Sequence, residues 1–268
     1  MGLYMDEIKI GSLNIAYKRK GKGAPIVLLH GALSDSRVWR RQLDDLSNEF
    51  TVVAWDAPGC GRSTDPPETF RLPDFADCLA EFIQEIGLDK PHILGLSFGS
   101  GLALELYRRH PNIPKSLILA SAYAGWAGSL PPEVVEERLK MAFKQSELPP
   151  DHVVDKWIPT LFTKSVSSTV INENKEIMSE FHPVGMRVMS VAFAEADLRD
   201  VLPTIEVPTL LLYGEKDQRS PLNIASELHS RIPTSKLVII PDVGHVANQE
   251  APEIFNAEIR NFLRGIQK

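Results

Sequence analysis

The sequence has few cysteines and no long apolar run, and each absence excludes a class of protein. Its 268 residues include two cysteines, Cys60 and Cys78, which are too few for a disulfide framework and are not spaced as a C-x-x-C pair. No apolar stretch approaches the roughly 18 residues that a membrane-spanning helix needs. Met1–Lys20 mixes charged and apolar residues, which predicts no secretory signal. We therefore expect a cytoplasmic protein with no membrane partner.

An excess of basic charge is also missing. The chain has 29 Lys and Arg residues against 35 Asp and Glu residues, a net charge of −6, so we expect no nucleic-acid partner. The sequence has no H-x-H or H-E-x-x-H spacing for a metal and no G-x-x-x-x-G-K-[ST] phosphate loop. It thus predicts neither a metal nor a cofactor. The mild negative charge fits a neutral or apolar small molecule better than a polyanion.

Short apolar runs alternate with amphipathic segments along most of the chain. The alternating segments Glu7–Ile10 and Leu13–Tyr17 predict a hairpin around Gly11-Ser12. Apolar runs that suit strands buried on both faces of a parallel sheet are Pro25–His30, Thr51–Asp56, His92–Leu96, Ser116–Ala120, Thr209–Tyr213 and Leu237–Ile240. Helices are predicted at Ser36–Leu46, Pro73–Gly87, Phe98–His110, Pro221–Ile232 and Ala251–Ile266. The alternation predicts a wound α/β sheet.

The alternation stops between Tyr123 and Val201, where the sequence shows helical pieces, several prolines and no convincing strand. We interpret residues 123–200 as a helical cap inserted between two strands. Residues 1–122 and 201–268 then form one core domain. The cap aromatics either form its own core or line a pocket, and periodicity does not choose between these. They are Trp126, Phe143, Trp157, Phe162, Phe181 and Phe193.

A G-x-S-x-G motif spans Gly95–Gly99, between a predicted strand and a predicted helix. A sharp turn in this position lifts the Ser97 hydroxyl above the sheet, and glycines on both sides let neighbouring backbone approach closely. Because five-residue patterns recur by chance, it is the strand–helix context that makes Ser97 a candidate nucleophile.

A serine nucleophile needs a base, and the base needs an orienting acid. Asp217 follows the predicted strand Thr209–Tyr213, and His245 follows Leu237–Ile240. Because α/β sheets place their sites at the carboxyl ends of parallel strands, we predict Asp217 as the acid and His245 as the base.

An oxyanion formed during acyl transfer needs two hydrogen-bond donors. The backbone N–H of Phe98 follows the nucleophile at a helix N-terminus and is the first candidate. The loop after the first apolar strand, His30–Leu33, provides the second; we predict the Ala32 N–H, with Leu33 as the alternative. His30 itself is predicted to support this loop rather than to act as a base. Asp56, with the glycines and serine that follow it, is predicted to form a structural turn.

These motifs together resemble those of the α/β-hydrolase family. They are His30-Gly31, DAPGCGRS at Asp56–Ser63, GLSFG, YGEKD and VGH. The resemblance covers nearly the whole chain. It implies a mostly parallel, about eight-stranded sheet wrapped by helices, a cap after the sixth strand, and Ser97, Asp217 and His245 as the catalytic triad.

The identity of the nucleophile narrows the predicted chemistry. Related dehalogenases and epoxide hydrolases carry Asp at the elbow, so Ser97 favours hydrolysis of carboxylic esters through an acyl-enzyme, with lactones as a second candidate substrate. Two alternatives stay open: a C–C bond hydrolase of ring-fission diketones, and a small-molecule receptor of the same fold with slow turnover. The predicted partner is a small ester or lactone, and the predicted assembly is a monomer or homodimer.

Overall fold

The computed structural model describes residues 5–266, which contain one eight-stranded sheet. Its strands are β1 (Asp6–Ile10), β2 (Leu13–Lys20), β3 (Pro25–Leu29), β4 (Thr51–Trp55), β5 (His92–Leu96), β6 (Ser116–Ala120), β7 (Thr209–Gly214) and β8 (Ser235–Ile240). They lie in the order β1-β2-β4-β3-β5-β6-β7-β8. The β1–β2 and β2–β4 pairs are antiparallel and every later pair is parallel. The predicted hairpin and the mostly parallel sheet are confirmed.

The central strands are buried on both faces because successive side chains point to opposite sides. In β3, Ile26 and Leu28 pack into one hydrophobic cluster, and Val27 and Leu29 pack into the other. The prediction of burial on both faces is wrong for β8, in which Ile239 is 43% exposed. This strand lies at the edge of the sheet, so its apolar sequence is only half covered.

Ten α-helices surround the sheet in the described residues. They are α1 (Arg40–Leu46), α2 (Leu72–Glu85), α3 (Phe98–Arg109), α4 (Pro132–Ser146), α5 (Pro150–Leu161), α6 (Ser168–Ser179), α7 (Pro183–Glu195), α8 (Leu222–Arg231), α9 (Ala247–Glu250) and α10 (Pro252–Ile266). The first predicted helix begins as a 3₁₀ turn, Ser36–Trp39, and the other predicted bounds agree within two residues. Within residues 5–266, no helix is long and apolar enough to cross a membrane.

Four helices, α4 to α7, lie between β6 and β7, which are neighbours in the sheet. This is the segment that the sequence predicts as a helical insertion, although the division at residues 123 and 200 stays a prediction, and residues 1–4 and 267–268 lie outside the described chain. A tight backbone contact joins the insertion to the turn after β4: a Cβ on Gly185 of α7 would lie 1.9 Å from the Gly59 carbonyl oxygen.

Candidate active site

Ser97 lies on a strained turn between β5 and α3. Its backbone has φ 54° and ψ −112°, a conformation that residues with a side chain rarely adopt. A Cβ on Gly95 would lie 2.1 Å from the Gly99 carbonyl oxygen, and a Cβ on Gly99 would lie 2.2 Å from that of Leu29. Both glycines of the motif are therefore needed for the turn to pack against the sheet.

Asp217 and His245 meet at the carboxyl ends of β7 and β8. His245 Nδ1 lies 2.9 Å from Asp217 Oδ2 and 3.0 Å from Oδ1, and both residues are buried. The backbone N–H groups of Arg219 and Ser220 also donate to Asp217 Oδ1, each at 2.9 Å. Burial alone would raise the pKa of the Asp217 carboxyl, but the His245 imidazole and the hydrogen bond from the Ser220 N–H hold the pKa below its usual value. The acid is thus ionised and the imidazole oriented.

The loop that carries His245 is fixed from both sides. The His245 N–H donates to the Leu161 carbonyl at the end of α5, at 2.9 Å, and Ser121 Oγ donates to the His245 carbonyl at 2.8 Å. Glu250 accepts the Gly244 N–H at 2.9 Å and the Thr163 N–H at 3.0 Å. The inserted helices therefore contribute directly to the position of the imidazole.

Ser97 and His245 line the same cavity, which has a volume of about 250 Å³. Within residues 5–266, no hydrogen bond joins the Ser97 hydroxyl to the imidazole; such bonds are often long before substrate binds. Because His245 Nδ1 faces the Asp217 carboxylate, its Nε2 is the ring nitrogen left to accept a proton. The three predicted residues are thus brought to one site, while their catalytic roles stay a prediction.

The two predicted oxyanion donors, Ala32 and Phe98, line this cavity as well. Among the described residues, neither backbone N–H donates a hydrogen bond to another protein atom. The same is true of the alternative, Leu33, which has φ 53°. All three N–H groups are therefore available to a substrate, and the choice between Ala32 and Leu33 stays open.

His30 and Asp56 form hydrogen bonds that support the loop after β3, as the sequence predicts. His30 Nδ1 lies 2.8 Å from the Gly31 carbonyl, and its Nε2 accepts the Ala57 N–H at 3.0 Å, so both ring nitrogens are occupied. Asp56 accepts the backbone N–H groups of Ser36 at 2.8 Å and Arg62 at 2.9 Å. These bonds tie the predicted oxyanion loop to the turn after β4.

The structure shows which cap aromatics line the cavity, a choice that the sequence left open, and adds two arginines that it did not predict. Of the cap aromatics, Trp126, Trp157 and Phe193 line the cavity, whereas Phe143 is 43% exposed. Arg138 of α4 and Arg219 also line it. Arg219 follows Asp217 by two residues, and this proximity was a usable signal. Arg138 is one charge among many on an amphipathic helix, so its sequence gives no such signal.

The fold agrees with comparisons against known proteins. A sequence profile described as "Alpha/beta hydrolase family" matches residues 26–258, which is most of the chain. The chain belongs to the alpha/beta hydrolase family. The predicted resemblance and fold class are therefore confirmed.

Individual relatives are similar at moderate identity. AB hydrolase superfamily protein YisY of Bacillus subtilis is 30% identical over 251 residues, 90% of this chain and 92% of that protein. A pimeloyl-[acyl-carrier protein] methyl ester esterase of Vibrio campbellii is 25% identical over 260 residues, 94% of this chain and 99% of its own. A thermophilic esterase from Thermogutta terrifontis, solved with malate bound, superposes with a TM-score of 0.91 at 29% identity and covers 99% of this chain and 100% of its own.

Proposed function

We propose that this hydrolase cleaves carboxylic esters of small molecules, lactones included, through an acyl-enzyme on Ser97. The observation that carries the proposal is the 2.9 Å contact between His245 Nδ1 and Asp217 Oδ2. His245 lines the same cavity as Ser97. Two of the similar proteins are named as esterases, which supports ester cleavage here.

The proposed acylation follows from the positions of these groups. Ser97 Oγ attacks the ester carbonyl carbon while its proton passes to His245 Nε2, and Asp217 stabilises the imidazolium that forms. The oxyanion of the tetrahedral intermediate accepts hydrogen bonds from the Phe98 N–H and the Ala32 N–H. When the intermediate collapses, the bond to the alcohol oxygen breaks, and His245 returns its proton to the leaving alkoxide.

Deacylation repeats these steps with water as the nucleophile. His245 Nε2 takes a proton from the water, whose oxygen attacks the acyl carbon, and the bond to Ser97 Oγ then breaks. The imidazolium returns the proton to Ser97, so the products are one carboxylic acid and one alcohol. No cofactor is needed for this balance, since water supplies both the hydroxyl group and the proton.

Replacement of the nucleophile tests this proposal. We expect Ser97→Ala to lower kcat for p-nitrophenyl butyrate at least about 1000-fold, because no other atom can form the acyl-enzyme. Its circular dichroism and thermal midpoint should match those of the wild type. Ser226→Ala, which alters an exposed serine of α8, is the matched control and should keep full activity. A Ser97→Ala variant within tenfold of wild type would overturn the mechanism.

The same assay separates the alternative activities. A ring-fission diketone hydrolysed much faster than the aryl ester or a lactone would replace the esterase proposal with C–C cleavage. A single slow turnover that leaves Ser97 covalently labelled would instead indicate a receptor. Sustained hydrolysis at many turnovers per second is the result that the esterase proposal requires.

A further inference from the structure

The charge of the cavity differs from the charge of the whole chain. Arg138, Lys156 and Arg219 contribute to the cavity wall, and none of the described lining residues is Asp or Glu. Most other lining residues are apolar or aromatic, as Trp126, Trp157 and several methionines are. The net charge of −6 therefore does not describe the surface that a substrate meets.

Arg219 is held in the wall without an acidic partner. Its guanidinium lies 4.0 Å from the centre of the Trp157 ring, and Nη1 donates to Thr160 Oγ1 at 3.1 Å. In residues 5–266, no carboxylate forms a salt bridge with it, and its Nε and Nη2 groups donate no hydrogen bond. Most other arginines of the described residues form salt bridges, as Arg37 does with Asp35 at 2.7 Å. The Nε and Nη2 groups of Arg219 thus remain able to donate hydrogen bonds to a ligand.

Arg138 lies beside Arg219 and is also without an acidic partner among the described residues. Its Nη1 donates to the Tyr123 hydroxyl and its Nη2 to the Arg219 carbonyl, each at 3.2 Å. The guanidinium also lies 5.7 Å from the Tyr123 ring centre and 5.6 Å from that of Trp126. These contacts orient Arg138 but leave its charge uncompensated.

Two neighbouring guanidinium groups in a partly buried wall carry an electrostatic cost. Burial, assisted by the charge of Arg138, lowers the pKa of Arg219 to about 10, against attraction from Tyr123 and Asp217. The Arg219 guanidinium therefore remains cationic at neutral pH. The Asp217 carboxylate is itself bound to His245 and to the Arg219 backbone N–H. An anion in the cavity would compensate the two cations, and a carboxylate matches the planar fork of Arg.

We propose that the substrate carries a free carboxylate in addition to its ester or lactone group, and that Arg219, with Arg138 beside it, binds this carboxylate while Ser97 attacks the ester. The inference rests on the proposed ester hydrolysis and adds a substrate class to it: half-esters of dicarboxylic acids, or lactones with a carboxylate substituent. It replaces the expectation of a neutral substrate drawn from net charge.

Matched pairs of substrates test the inference. The mono-p-nitrophenyl esters of succinate, glutarate and adipate are compared with the same compounds bearing a methyl ester in place of the free carboxylate. We expect the wild type to prefer at least one anionic member over its methylated partner by tenfold or more in kcat/KM. The preference should shrink at high salt, because ions screen the charge pair.

Two variants assign the preference to Arg219. We expect Arg219→Gln to lower kcat/KM for the anionic ester at least tenfold more than for the methylated one, and Arg219→Lys to retain part of the preference, because Lys keeps the charge but loses the fork. Arg62→Gln is the matched control: among the described residues the Arg62 guanidinium forms no salt bridge, and Arg62 does not line the cavity. It should keep the wild-type ratio.

The outcomes separate this inference from the proposed function. Hydrolysis of the methylated esters that depends on Ser97, without preference for any anionic partner, would overturn the inference alone. An Arg219→Gln variant with the wild-type ratio would do the same without touching the mechanism. Hydrolysis of neither series would overturn the proposed ester chemistry, and the substrate class with it.

Discussion

Residues at the carboxyl ends of the parallel strands differ in backbone conformation from those at the amino ends. At the carboxyl ends, four residues with side chains adopt positive φ directly after or near a strand: Leu33, Ser97, Ser121 and Asp242. At the amino ends, the buried residues His92, Ser116 and Thr209 begin three neighbouring strands in regular extended backbone. The one other such positive φ in the described chain belongs to Lys90, in an exposed turn.

The difference indicates where the fold tolerates unfavourable backbone conformations. Each left-handed or similarly strained residue costs of the order of 1–3 kcal/mol and persists only if its surroundings hold it. At the carboxyl ends these turns direct Ser97 and the His245 loop toward one cavity. At the amino ends, His92 and Ser116 form a polar contact inside the sheet, and neither residue lines the cavity that contains Ser97. We therefore expect substitutions at the carboxyl ends to change activity, and those at the amino ends to change stability alone.

The largest expected effect is at Asp217. We expect Asp217→Asn to lower kcat about 10⁴-fold, because the amide no longer holds the His245 proton on Nδ1. KM should change little, since the carboxylate faces the imidazole rather than the cavity. The measurement is steady-state hydrolysis of p-nitrophenyl butyrate.

Glu215→Gln is the matched control for this substitution. Glu215 lies two residues earlier in the same loop, is exposed, and accepts the Asp242 N–H at 3.1 Å instead of contacting His245. It should retain wild-type kcat. An Asp217→Asn variant that also retains kcat would show that the carboxyl end does not contain the proposed triad.

The second effect is at the amino end, where burial dominates the titration of His92. Desolvation, assisted by the charge of Lys115, lowers the pKa of His92 to about 4. Between pH 6.5 and 4 the unfolded chain therefore binds more protons than the folded one, so stability is present above pH 6.5 and is lost as pH falls. From these values we expect on the order of 2–3 kcal/mol less stability from this residue at pH 4.5 than at pH 7.5.

Urea unfolding of wild type and His92→Asn at several pH values measures this contribution. Other carboxylates titrate in both proteins, so the readout is the difference between the two pH slopes. The variant should lose the His92 part of the slope while keeping kcat for the aryl ester at pH 7.5. Equal slopes would contradict the assigned burial effect, and a large loss of kcat would contradict the separation between the two ends.

Sequence patterns were sufficient for the core because its signals are local. A buried strand such as β5, which contains Leu94, appears in the sequence as a short apolar run. The turn at Ser97 needs two glycines, because a Cβ at either position would collide with backbone atoms. Asp217 and His245 became candidates because each follows a strand directly. The edge position of β8 was missed because an apolar run does not state how many neighbours its strand has.

The cavity wall could not be predicted in the same way. Arg138 and Arg219 come together because α4 packs over the loop after β7, a contact between residues far apart in the chain. The hydrogen bond between Ser121 and the His245 carbonyl likewise joins two separate strand ends. Periodicity reports which face of a helix is apolar, but it does not report which loop that face covers.

The smallest expected effect compares two serines at opposite ends of β6. Ser121 Oγ donates to the His245 carbonyl at 2.8 Å, whereas Ser116 Oγ lies 2.7 Å from His92 Nδ1. Each hydrogen bond is worth about 1 kcal/mol. We expect Ser121→Ala to lower kcat about three- to tenfold with KM unchanged, because the loop of the base loses one support. Ser116→Ala should lower only the free energy of unfolding, by about 1–2 kcal/mol.

Ser121→Gly separates the hydrogen bond from backbone strain. Ser121 has φ 46°, which glycine adopts more readily than serine or alanine, so an effect of the backbone conformation would differ between the Ala and Gly variants. If the hydroxyl positions His245, both variants lose kcat to the same extent. A reduced kcat in Ser116→Ala would erase the contrast, because a hydrogen bond at the amino end would then support catalysis as well as one beside the base.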